Sequence, residues 1–171
     1  AGFDKNCKNL YSLLSLGFGF ITGGTITFSK RDGNPKPRLF HLKKSKALVN
    51  SMGFPGDGLQ KISDRLKHYN SKSENVFLSV SGTIKKDIID CIKILRNHCK
   101  AFEINISSPN TEGLKIFHDE EKLSNLIFEA KKVTTKPIFI KLPPWDKNNK
   151  NEGDYLSIAY TSIKSGAEGL I

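Results

Sequence analysis

Apolar residues recur along the chain at two alternating spacings, and each change of spacing predicts a change of element. Residues 4–17 place Leu10, Leu13 and Leu14 at helical spacing, with Tyr11 beside them, and end on a glycine suited to the position after a helix. Residues 18–27 are aromatic and β-branched, which predicts a strand running into Gly23-Gly24-Thr25, where missing side chains let backbone approach a ligand. Residues 29–48 read as a long connection through Gly33-Asn34-Pro35-Lys36-Pro37-Arg38, too long for an ordinary turn and so a candidate functional loop. After the turn over 49–58, a helix follows over 59–69 with Leu59, Ile62 and Leu66 on one face. Residues 75–81 are strand, stopped at Gly82. An amphipathic helix over 84–100 carries Ile84, Ile88, Ile92, Leu95 and Cys99. Residues 101–106 form a buried strand halted at Pro109, which has no N–H to give a ladder. A helix over 120–133 turns Leu123, Leu126, Ile127 and Ala130 inward. A strand over 137–142, a polar loop over 148–152, a helix over 155–165 and the start of a strand at 169–171 complete the chain.

Strand and helix alternate throughout, and the strands are short and apolar, as if buried on both faces. That is an α/β protein with a parallel sheet. No repeat of fixed period argues for a solenoid. A doubly wound sheet gathers its ligand at one switch point, whereas here nearly every strand end carries polar or glycine residues, as at the carboxyl face of a (β/α)8 TIM barrel. Neither G-x-G-x-x-G nor a Walker loop is present. With 171 residues the chain is one domain by length. It opens at Ala1 without a methionine and closes on a new strand, so the expectation is a single barrel domain over 1–171 holding about the first five to six strands, with the C-terminal strands beyond it.

The net charge of +10 comes from 23 Lys and only four Arg, spread along the chain. Nucleic-acid readers favour Arg and clustered basic stripes with stacking aromatics, so a solvated Lys-rich surface is the expectation, with no nucleic-acid partner. Cys7, Cys91 and Cys99 have no C-x-x-C spacing, which reads as a reduced protein without a disulfide or zinc framework. His41, His68, His98 and His118 lack metal-ligand spacing and are expected at the surface. No run of about 18 apolar residues and no signal-peptide pattern occurs.

The chemistry concentrates where the 101–106 strand ends, in Asn105-Ile106-Ser107-Ser108-Pro109-Asn110-Thr111. An Asx or Ser turn explains a lone Ser-Pro-Asn equally well. Taken with Lys5, Gly24-Thr25, Asn50, Ser81 and Lys141 at the other strand ends, the group suits a planar, anionic ligand held by fixed donors and a cation. Five segments in order, Ala-Gly-Phe-Asp-Lys (1–5), Gly-Asn-Pro-Lys-Pro-Arg (33–38), Asn-Ser-Met-Gly-Phe (50–54), Asn-Ile-Ser-Ser-Pro-Asn (105–110) and Ile-Lys-Leu-Pro-Pro (140–144), resemble the dihydroorotate dehydrogenases.

That resemblance implies a flavoprotein oxidoreductase with FMN in a (β/α)8 barrel, oxidising dihydroorotate to orotate in pyrimidine (UMP) biosynthesis. Ser108 falls at the position of the catalytic base, which takes the C5 proton as hydride leaves C6 for the flavin. Lys5, Asn50, Ser51, Met52, Gly53, Phe54, Asn105 and Asn110 match substrate-binding positions. Ala1, Gly2, Lys5, Gly24, Thr25, Ser81, Asn105 and Lys141 match FMN-binding ones, with Lys141 beside the flavin ring. No metal is implied. Thr111 is the neighbouring candidate for a proton relay. The serine base and the 1–5 segment resemble the membrane-associated, quinone-reducing class, while residues 77–82 and 141–144 resemble the soluble class. The electron acceptor therefore stays open among a quinone, fumarate and a partner redox subunit. A cytoplasmic location, with or without peripheral membrane contact, and a homodimer are both compatible. The rivals are a dihydropyrimidine dehydrogenase-like flavin barrel, which usually brings a cysteine base and iron–sulfur cysteines, and a non-catalytic barrel remnant or basic binding module, which has no physical reason to keep so polar a cavity.

Overall fold

The computed structural model describes residues 2–69, 75–108, 113–144 and 152–171. In chain order the elements are α1 (Leu10–Leu14), β1 (Ile21–Ile26), β2 (Leu39–Leu42), β3 (Ala47–Asn50), α2 (Leu59–Lys67), β4 (Val76–Val80), α3 (Lys85–Leu95), β5 (Ala101–Asn105), a 3₁₀ turn (Leu114–His118), α4 (Glu120–Val133), β6 (Ile138–Lys141), α5 (Glu152–Lys164) and β7 (Gly169–Leu170).

Five strands form one sheet in the order β1-β4-β5-β6-β7, every neighbouring pair parallel. The spatial order never reverses, so the sheet has no switch point and winds one way, as a (β/α)8 barrel does. Strand alternation then assigns two faces with different chemistry. Leu78, Phe102 and Ile138 are in register, as are Val80, Ile104 and Ile140, and all six are fully buried in one core with Ile88 and Ile92 of α3 and Leu123, Leu126 and Ile127 of α4. Each such side chain contributes roughly 1.5–3 kcal/mol of burial. The residues between them turn to the opposite, interior face. There Phe20, Phe77 and Phe139 stack with centroids 4.7 and 5.5 Å apart, and toward the carboxyl end follow Ser79, Glu103, Asn105 and Lys141.

The helix over 4–17 is reduced to α1, because the Asp4 carboxylate takes the Lys8 and Asn9 N–H groups at 2.8 and 2.7 Å and holds the preceding residues in a bend. Phe18 and Phe20 lie before β1 and are more than half exposed. The 29–48 stretch is not an irregular connection: it runs into the antiparallel hairpin β2–β3 over 39–50, whose register pairs Leu39 with Asn50 and Leu42 with Ala47. This exposed second sheet is also an exception to the expected all-parallel, doubly buried pattern. The 84–100 helix ends at Leu95, and the 3₁₀ turn before α4 had no periodic signal at all.

His98 and His118 are half-buried rather than surface residues, and His118 Nε2 lies 3.0 Å from the Ile106 carbonyl, pinning the end of β5. The three cysteines are free and buried, and burial pushes each thiol up to about 12, so they are poor nucleophiles near neutral pH. No helix among the described residues is long and apolar enough to cross a membrane.

Glu168 clamps the start of β6 through the Ile138 N–H at 2.6 Å and an ion pair with Lys131 of α4. Burial raises its pKa, but the N–H and the lysine outweigh burial and leave it below the ordinary value. A depressed pKa stabilises the fold above the unfolded-state value of about 4.3 and loses that contribution as pH falls through the folded value. Glu168→Gln is therefore expected to lower stability by on the order of 1 kcal/mol near pH 7 and by less near pH 3, in urea unfolding curves at both pH values.

Candidate functional site

The carboxyl ends of the strands and the hairpin line an open cavity of about 640 Å³, within the range of small-molecule sites. Gly2, Phe3 and Lys5 come from the amino-terminal segment, Thr25 from β1, and Leu39, Leu48 and Asn50 from the hairpin. Met52, Gly53 and Phe54 follow the hairpin, while Asn105, Ser107, Ser108, Lys141 and Pro144 stand at the ends of β5 and β6.

The hairpin side is braced by the proline-bearing segment. Asn34 donates from its side chain to the Ser51 carbonyl at 2.8 Å and from its backbone to the Met52 carbonyl at 3.0 Å. Arg38 Nη1 donates to the Asp32 and Asn34 carbonyls at 2.5 and 2.9 Å, closing that segment on itself. Gly53, at φ +67°, has Asn34 Oδ1 far inside contact distance of where a Cβ would stand, so no side chain fits between the two segments. In this way a segment distant in sequence positions Asn50, Met52 and Phe54 at the cavity. The Asn50 Oδ1 accepts from the Met52 N–H at 3.4 Å.

The floor is polar and fully hydrogen-bonded. Asn105 Nδ2 donates to Thr25 Oγ1 at 3.0 Å, Thr25 Oγ1 lies 2.9 Å from Ser79 Oγ, and Ser79 donates to Glu103 Oε1 at 2.6 Å. Ser107 donates to Asn105 Oδ1 from both its N–H and its hydroxyl, at 3.1 and 2.7 Å. Among the described residues no buried side-chain nitrogen or oxygen is without a partner. Lys5 is partly buried, and that burial, with Arg38 nearby, lowers its pKa from the ordinary value. No group of three or more His, Cys, Asp or Glu among the described residues is arranged to hold a metal.

Of the residues expected to meet a ligand, Gly2, Lys5, Thr25, Asn50, Met52, Gly53, Phe54, Asn105, Ser108 and Lys141 share this cavity. Ser51, Gly24 and Ser81 do not line it. Ser51 uses its backbone N–H and carbonyl to join Arg38 and Asn34. Gly24 abuts the Ser79 carbonyl, and Gly23 makes room for Cys7 and Leu10, so both glycines let backbone and helix pack closely. Ser81 is completely buried and donates to the Asn105 carbonyl at 2.7 Å. Ala1, Asn110 and Thr111 lie outside the described residues. Ser107, part of the polar run singled out in the sequence, also lines the cavity, whereas sequence reasoning missed Phe3, Leu39, Leu48 and Pro144 in the lining and Ser79 and Glu103 beneath it. For Glu103 the available signal was a charged residue between Phe102 and Ile104 in a short buried strand.

The sequence profile described as dihydroorotate dehydrogenase matches residues 1–163. The chain belongs to the dihydroorotate dehydrogenase family. It is 35% identical over 178 residues to the dihydroorotate dehydrogenase (quinone) of a Nitratiruptor species, a match covering all of this chain and 50% of that protein. The Sulfurimonas denitrificans protein of the same description is 35% identical, with 100% and 49% covered. Among solved structures, ligand-free DHODH from Eimeria tenella superposes with a TM-score of 0.86 at 28% identity, over 100% of this chain and 56% of that one. The Eimeria tenella enzyme in complex with ferulenol gives 0.85 at 27%, over 99% and 54%. The chain thus spans about half the length of the relatives it matches, and its one-way parallel sheet is a portion of the family's barrel.

Proposed function

We propose that the full-length protein oxidises dihydroorotate to orotate with FMN as cofactor and a quinone as final electron acceptor. The observation that supports this reading is one cavity lined by Lys5, Asn50, Asn105, Ser108 and Lys141, residues drawn from separate segments of the chain. The quinone rests on the names of the relatives. Such an acceptor dissolves in lipid, so the reading expects a cytoplasmic enzyme with peripheral membrane contact.

The residues present fit the ring end of a flavin, because the cavity supplies neutral amide donors and two lysines in a space of about 640 Å³. Bound FMN would supply the hydride acceptor. Lys141 would balance negative charge beside the ring, and Thr25 and Asn105 would orient it. On the other side, Asn50 would hold the substrate's carboxylate or ring, and Ser108 would take a proton from carbon. A serine hydroxyl is a weak base, so Ser108 needs a proton route and shelter from water. Phe54, Leu48 and Pro144 offer the apolar wall for that shelter.

The reading is tested on purified full-length protein. Bound FMN, bleaching by dihydroorotate, and faster turnover with quinones than with fumarate or nicotinamide are expected; a colourless protein, or one whose flavin dihydroorotate does not reduce, would remove the reading. In the same preparation, Lys141→Ala is expected to weaken FMN retention or slow its reduction about tenfold to a hundredfold, the worth of a hydrogen bond to a charged group. Unchanged flavin content and reduction rate would take Lys141 out of the site.

A further inference from the structure

Glu103 lies inside the sheet, 2% exposed, in a strand where its neighbours on the other face are Phe102 and Ile104. A carboxyl group there is costly to bury and is kept only with good partners. We propose that Glu103 is a positioning residue: its buried carboxylate sets the direction of the chain Asn105–Thr25–Ser79–Glu103, so that Asn105 offers an N–H, not a carbonyl, to the ligand in the cavity. For the identity of that ligand the proposal rests on the flavin reading above; for the direction of the chain it does not.

The two ends of the chain dictate the same direction independently. At the upper end, the Ser107 backbone N–H can only donate, so the Asn105 atom 3.1 Å from it is the amide oxygen, and the amide nitrogen is the atom facing Thr25. At the lower end, Ser79 gives its single hydrogen to Glu103 Oε1 at 2.6 Å. Ser79 then accepts from Thr25 at 2.9 Å, and Thr25, its hydrogen used, accepts from Asn105 at 3.0 Å. Each hydroxyl donates once and accepts once. The Asn105 nitrogen has a second hydrogen, and Asn105 lines the cavity. The ligand atom it selects is an acceptor, a carbonyl oxygen or an unprotonated ring nitrogen, and a ligand presenting N–H at this point leaves two donors facing each other. An amide at position 103 would remove the constraint at the lower end, since it can accept from or donate to Ser79, and would leave Ser107 alone to orient Asn105.

This difference gives a test that a space-filling role would not reproduce. Asn105→Asp replaces the donor with a second acceptor, so the chain has acceptors at both ends and one hydrogen too few between Thr25 and Ser79. Its unfolding equilibrium constant, from urea denaturation of flavin-free full-length protein, should worsen about tenfold to a hundredfold. Glu103→Gln alone should change it less than about tenfold, because the new side chain can still accept. Combined, the two substitutions reverse the chain, with the glutamine N–H donating to Ser79, Ser79 to Thr25 and Thr25 to the aspartate. The double variant should recover at least about tenfold relative to Asn105→Asp. If Asn105→Asp fails to fold, a folded double variant is that recovery. Losses that simply add, or a double variant no more stable than Asn105→Asp, overturn the proposal. FMN is then returned to the double variant, which lacks the amide donor and should hold it about tenfold more weakly; undiminished retention overturns the claim that this N–H meets the ligand. Failure of the flavin reading would leave the unfolding cycle unchanged, so the two are told apart.

Discussion

Replacing Ser108 with alanine is expected to leave the full-length protein folded, flavin-loaded and able to bind orotate, while flavin reduction by dihydroorotate slows about 10²–10⁴-fold, the usual worth of a positioned acid–base group. The position supports this outcome. Ser108 lies just past the end of β5, on the same cavity as Lys141 and Asn50, and Ser107 before it is tied to Asn105 by two hydrogen bonds. That tether sets where the next residue stands, and positioning to within a fraction of an ångström is what a weak base requires. Ser108→Cys is the informative partner. A thiol loses its proton far more readily than a hydroxyl, so this variant should keep measurable activity with its rate rising at lower pH than that of the parent protein. Stopped-flow bleaching of the flavin against pH checks all three proteins. Parental speed in the alanine variant would exclude Ser108 as the base.

Gly24→Ala is expected to be strongly destabilising. At φ +111° an alanine adopts a conformation that L side chains rarely tolerate, and its Cβ would stand 2.5 Å from the Ser79 carbonyl oxygen and 2.9 Å from the Ile26 nitrogen. Both obstacles are backbone and cannot swing away. Together the backbone strain and the overlap should cost about 2–5 kcal/mol, read as a lower urea midpoint at unchanged slope. Thr25 follows directly, so whatever shift relieves the clash also draws Thr25 Oγ1 away from Ser79 and Asn105. Flavin retention should fall along with stability. A midpoint equal to that of the parent would mean that β1 and β4 do not approach as closely as described.

Much of the sheet was legible because its signal is local. Val76, Leu78 and Val80, or Ile138 and Ile140, are β-branched or apolar at alternate positions, and the helices between strands repeat their apolar residues at three- and four-residue spacing. The hairpin β2–β3 was not legible. Its Leu39, Phe40, Leu48 and Val49 are exposed, so no alternation of buried and solvated positions marks it, and the prolines before it suggested an irregular loop. The short α1 was overread because Asp4 caps from a distance of four and five residues, a contact that periodicity does not contain.

The site divides along the same line. By itself the sequence determined the α/β class, the alternation of elements, and which short polar motifs stand at strand ends, since each of these depends on neighbours a few residues apart. Only the tertiary structure decided that Ser51, Gly24 and Ser81 do not line the cavity, and that Asn34 and Arg38 brace the opposite wall. It also decided that Glu103, Ser79, Thr25 and Asn105 form one chain, across separations of 24, 54 and 80 residues. Hydrogen-bond direction depends on which donor meets which acceptor in space, and no periodicity of a single strand records the partner contributed by the next.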